Sequence, residues 1–91
     1  MALDSKETME HMARLALQYG VDAIVLRPDA DSAWEWDKKG RLVKRNIDPL
    51  KVTRRGKRCF CTPKDEDNMW DCQVYNEHNV ELSQFFEQFP N

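Results

Sequence analysis

Ala33-Trp34-Glu35-Trp36-Asp37, Lys38-Lys39-Gly40 and Arg41-Leu42-Val43-Lys44-Arg45 follow one another without a break. The first five residues alternate, placing Trp34 and Trp36 on one face and Glu35 and Asp37 on the other, the period of a half-buried strand. Asp at the start and Gly at the end of a three-residue connection suit a type I turn closed by a glycine bulge. Leu42 and Val43 then return between bases. The segment predicts a β-hairpin.

Upstream, Val21 to Leu26 reads as a strand whose Ala23–Leu26 run is apolar enough to be central, and Arg27 to Ser32 holds the turn residues that end it. Before that strand lies a helix with Asp4 as cap, Glu7 completing a capping box and Gly20 in the left-handed terminal position. Met9, Met12, Ala13, Ala16 and Tyr19 share its apolar face.

Downstream, Asn46 to Gly56 reads as a loop. Lys57 to Thr62 and Trp70 to Tyr75 form a second hairpin around the polar stretch Pro63 to Met69. A symmetric loop sets Cys61 opposite Cys72 and Cys59 opposite Val74, with Phe60 and Tyr75 on the other face. Asn79 is then expected to cap a short helix carrying Leu82, Phe85, Phe86 and Phe89 at i, i+3, i+4 and i+7. The expected fold is one α+β domain over residues 1–91: an antiparallel sheet of about five strands with an N-terminal and a C-terminal helix on one face.

Charge is sorted along the chain. The formal net charge is −2 over 91 residues, but residues 38–58 hold ten bases against Asp48 alone. Residues 1–37 carry eight acids and three bases, and residues 59–91 carry seven acids and Lys64. Sorting of this kind concerns partners or internal pairing more than fold. Lys38, Lys39, Arg41, Lys44, Arg45, Arg54, Arg55, Lys57 and Arg58 are the candidate partner-binding band. Polyanion binding would use several of these at once to release counterions, yet no aromatic side chain interleaves them between Trp36 and Phe60. Trp34 and Trp36 are candidate interface anchors, with roofing of the sheet against Phe85 and Phe89 as the competing role.

Three cysteines and a histidine, Cys59, Cys61, Cys72 and His78, are chemically able to hold zinc tetrahedrally. Their spacing departs from that of the usual zinc knuckles, and cysteine is among the most buried residue types. Core packing is therefore expected, without metal or other cofactor. Catalysis has little to stand on. Cys72 and His78 are the one nucleophile–base pair close in sequence, with no third group to orient them. The three glycines stand apart and build no phosphate loop. Asp65-Glu66-Asp67 with Asp71 lacks the alternation of a calcium loop and reads as a solvated tip.

No apolar run reaches the ~18 residues a membrane helix needs, and Met1 to Lys6 has no signal-peptide core. An odd number of cysteines suits a reducing cytoplasm. The sequence thus points to a non-enzymatic, cytoplasmic interaction protein of inhibitor or adaptor type, binding another protein through charged surfaces. By compositional analogy, the expected class includes accessory proteins of phages and mobile elements. A nucleic-acid-binding domain using residues 38–58 is the second reading, and a zinc-stabilised binding module the third. No membrane and no small-molecule substrate are expected.

Overall fold

The computed structural model describes residues 3–45 and 56–90. The chain order is α1 (Lys6–Tyr19), β1 (Ala23–Leu26), β2 (Ala33–Asp37), β3 (Leu42–Arg45), β4 (Arg58–Pro63), β5 (Met69–Tyr75) and β6 (Glu81–Gln88). The strands form a single sheet in the order β3-β2-β1-β4-β5-β6. Residues 46–55 of the expected loop lie outside the described residues.

The helix begins one residue later than expected. Ser5 is the N-cap, its hydroxyl accepting from Thr8 N–H at 3.2 Å. Gly20, at φ 62°, closes the helix in the left-handed conformation as expected. Thr8, Met12, Leu15 and Ala16 are buried, with Met9, Ala13 and Tyr19 packed at the margin. The β2–β3 hairpin forms with the expected turn. Asp37 Oδ1 accepts from Lys39 and Arg41 N–H, and Gly40 takes φ 77°. In the second hairpin Cys61 opposes Cys72 and Cys59 opposes Val74. Phe60 and Tyr75 meet edge-on across the other face, with ring centroids 5.6 Å apart.

Two expectations are corrected. The sheet has six strands and is mixed: β1 pairs antiparallel with β2 but parallel with β4. Ala23–Leu26 is buried throughout, and its backbone groups are paired laterally on both sides, to β2 and to β4. Asp22 N–H donates to Lys57 O at 2.7 Å and Arg27 N–H to Cys61 O at 2.9 Å, locking β4 alongside.

The second correction is the C-terminal helix, which is strand β6. Asn79 is no cap; it takes φ 62° inside a turn. Asn76 Oδ1 accepts from His78 and Val80 N–H, and Asn76 N–H donates to Val80 O. That turn folds the chain straight back onto β5, so Glu81–Gln88 pairs with the strand before it and there is one helix, not two, among the described residues. Trp36 shares the main core with Phe89, and Phe85 packs against that core, although three strands separate β2 from β6.

Helix α1 covers the face formed by Ile24, Leu26, Trp36, Cys59, Cys61, Trp70, Cys72, Val74 and Phe89, which makes up the main core. Each large apolar side chain buried there contributes roughly 1.5–3 kcal/mol. The opposite face has a smaller cluster of Val25, Ala33 and Phe60, with Tyr75 against it.

Candidate functional site

The two sheet edges are built differently. An edge strand leaves a row of backbone N–H and C=O groups ready to pair with another chain, and proteins usually blunt it with short length or charge. Among the described residues β3 contributes four, Leu42–Arg45, with Lys44 among them. The β6 edge has eight residues.

Backbone alternation shows which β6 groups face outward. Because Cys61 O accepts from Arg27, the backbone groups of Cys61 point toward β1. Within an antiparallel pair the direction alternates along each strand, so Cys61 and Cys72 are a non-hydrogen-bonded pair. Cys72 then turns its backbone groups toward β6, where Phe85 meets them. Phe89 N–H, donating to Asn68 O at 3.1 Å, keeps the same phase. Gln84, Phe86 and Gln88 therefore aim their N–H and C=O past the edge, and none of the three is charged.

The side chains around that edge are partly apolar. Phe86 is 53% exposed, Leu82 49% and Val80 54%. Lys64 Nζ sits 4.3 Å from the Phe86 ring centroid. Asp71, opposite Phe86, accepts from Gln84 at 3.0 Å and from Gln73 at 2.8 Å, which holds the Gln84 side chain down on the sheet. The result is an edge strand with an aromatic ring beside its outward backbone groups, regular from Ser83 to Gln88 and shifted in register at Val74/Tyr75.

The basic band does not form one free surface among its described members. Lys38 Nζ lies 2.8 Å from Asp22 Oδ1, and Arg41 Nη2 lies 3.0 Å from Asp37 Oδ2. The Lys38 hydrogen bond holds the Asp22 carboxyl below its ordinary range, against an opposing effect of burial. Lys44 leans over the Trp34 ring, 5.8 Å from its centroid. Arg58 is buried and donates to Asn79 Oδ1 at 2.7 Å. Lys39 and Lys57 are exposed. Arg54, Arg55 and the side chain of Arg45 lie outside the described residues. Trp36 is buried in the main core and Trp34 half-buried.

The three cysteines come together, and His78 does not join them. Cys59, Cys61 and Cys72 are free, buried thiols whose Sγ atoms lie within 4.8 Å of one another. Hydrogen bonds from Cys61 and Cys72 push the Cys59 thiol down, while burial pushes Cys61 up. His78 is exposed, in the turn after β5. His11 instead pairs with Glu87 at 3.0 Å and packs on Phe89. Asp65, Glu66 and Asp67 are exposed at the β4–β5 tip.

Sequence reasoning missed the β6 edge. Burial alternates at Phe85, Glu87 and Phe89, but the charge of Glu87 hides that period in the sequence, where the helical spacing of Leu82, Phe85, Phe86 and Phe89 stands out instead. Among the described residues no helix is long and apolar enough to cross a membrane. Compared with known proteins, the chain matches no family model, no curated protein and no solved structure.

Proposed function

We propose that this is a non-enzymatic, cytoplasmic binding protein that docks onto another protein by accepting one of its strands along β6. The observation that carries the reading is the long, uncharged outward row of Gln84, Phe86 and Gln88 on an eight-residue edge. Main-chain pairing of this type supplies affinity, and side-chain contacts at alternate positions supply choice of partner. The exposed ring of Phe86 and the aliphatic side chains of Leu82 and Val80 favour a partner segment with apolar side chains. The acidic balance of residues 59–91, seven acids against one base, favours basic residues flanking them.

The test is affinity capture from extract of the native cell with the wild-type chain and a Gln84→Pro variant side by side. Proline removes the outward N–H at that position. A partner held by wild type and lost by the variant supports strand addition; equal capture by both refutes it. The basic band supports a nucleic-acid reading less well, because Lys38 and Arg41 already hold carboxylates.

A further inference from the structure

Three sulfur atoms meet beneath the helix, and packing accounts for each buried cysteine singly without requiring them to converge. Sheet register brings them together. Cys59 and Cys61 are two residues apart on β4 and so share a face, and Cys72 is the cross-strand partner of Cys61. Cys61 and Cys72 are a non-hydrogen-bonded pair, the arrangement in which facing side chains come closest. Their Sγ atoms are 2.7 Å apart, and Cys59 Sγ is 3.6 Å from Cys61 Sγ. An ion bound to three thiolates at ~2.3 Å holds the sulfurs about 4 Å apart, so a side-chain adjustment of about 1 Å at Cys72 makes room. The geometry points to a three-coordinate, all-sulfur site formed by Cys59, Cys61 and Cys72 for a soft monovalent metal ion of the Cu(I) class.

Coordination number and softness select the ion. Zinc almost always takes four ligands in a structural site. Among the described residues no histidine, aspartate or glutamate joins the three sulfurs. His78 is exposed in a turn, and His11 is turned to Glu87. The sulfurs belong to the buried main core, together with Met12, Leu15, Ile24, Trp70 and Val74, so water has no ready route to a fourth position. Thiolate donors select Cu(I), whereas Cu(II) prefers a tetragonal set of nitrogen and oxygen. An apolar, all-sulfur pocket holds the reduced ion and disfavours the oxidised one. Each sulfur that binds as thiolate releases its proton to solvent, so affinity rises with pH. The site is independent of strand addition at β6.

The test uses the whole chain, reduced and kept under anaerobic conditions, with Cu(I) supplied in competition with bicinchoninate. One Cu(I) per chain is expected, with X-ray absorption showing three sulfur neighbours at ~2.3 Å. Cys72→Val, which keeps the position apolar, is expected to weaken binding at least roughly tenfold. Failure of wild type to take Cu(I) from the chelator would overturn the proposal, as would nitrogen or oxygen in the coordination shell. Unchanged uptake by a folded Cys72→Val chain would do the same. If that variant does not fold, the sulfur count on wild type decides alone. Stoichiometric zinc retention in a four-donor shell would replace the three-coordinate assignment.

Discussion

Phe89 stands edge-on to Trp70, ring centroids 5.4 Å apart and planes 75° apart, at the point where β6 leaves the sheet. Both rings are buried, and the Phe89 N–H is fixed to Asn68 O. Phe86, three residues earlier and inside β6, has its ring more than half in solvent.

That contrast gives the first prediction. Phe89→Ala should cost ~3–5 kcal/mol, as truncation of a buried phenylalanine does. Phe86→Ala should change stability by no more than ~1 kcal/mol, as surface substitutions do. Urea denaturation of the two variants measures both. A large loss at Phe86 would mean that residues 81–88 bury a helical face after all.

Asp22 ties two parts of the sheet together. Its carboxylate meets Lys38 at the β2–β3 tip and accepts from Lys57 N–H at 3.1 Å, just before β4. A methyl group on Gly56, which sits at φ 94°, would run into that carboxylate. Lys38 and Asp22 are both well exposed, so Asp22→Asn should cost no more than ~1 kcal/mol at neutral pH. The folded carboxyl lies below its ordinary value because of Lys38. Its contribution is therefore complete above the ordinary value of ~3.9 and fades as pH falls through the lower folded value. Stability curves of wild type and Asp22→Asn should run apart at pH 7 and converge in acid. Gly56→Ala should be worse than Asp22→Asn, since it combines an unfavourable φ with the collision. Curves that stay apart at the lowest pH would remove Asp22 as the titrating group.

What could be read from sequence was local. The Trp34–Trp36 alternation, Gly20, Gly40 and the Cys61–Cys72 register all follow from neighbours a few residues apart, and each is found in the structure. The parallel pairing of β1 with β4 joins residues 35 positions apart, Ala23 with Arg58, and no local pattern encodes it. The β6 misreading had a different origin. Four apolar residues at helical spacing in an eight-residue window also fit a strand, and the Asn76–Val80 turn settled the matter by placing the segment against β5. The same turn carries His78 to the surface, apart from the three sulfurs. The convergence of those three was legible from the register alone.

The described part of the basic band predicts weak polyanion binding. Lys38 and Arg41 would have to leave Asp22 and Asp37 to meet phosphates, and Arg58 is buried. Random duplex DNA should therefore show negligible affinity near physiological salt, measured by fluorescence anisotropy. Any binding at low salt should have a shallow log–log salt slope, well short of the −4 to −5 that about five phosphate contacts would give. Sub-micromolar affinity at physiological salt would make nucleic acid the partner.

The last prediction separates backbone recognition at β6 from ordinary surface contact. Gln84 and Phe85 are neighbours, yet their N–H groups point in opposite directions. Phe85 faces β5 across from Cys72, and Gln84 faces out. Proline at position 85 would remove a ladder hydrogen bond and should lower the urea midpoint clearly below that of wild type. At position 84 the missing N–H belongs to the open edge, where proline is tolerated, so folding should be little affected. If a partner adds a strand, Gln84→Pro should abolish its binding while circular dichroism and urea midpoint stay near wild type. Phe86→Ala should weaken the same complex but leave part of the affinity, because it removes a side-chain contact and keeps the backbone row. A partner that contacts side chains alone should rank the two variants in the reverse order, with Phe86→Ala the more damaging. Isothermal titration with the captured partner reads the ranking directly, and the reverse order would rule out strand addition. Sedimentation of the free protein covers the remaining case: a dimer of wild type that Gln84→Pro dissolves would make the added strand β6 of a second copy.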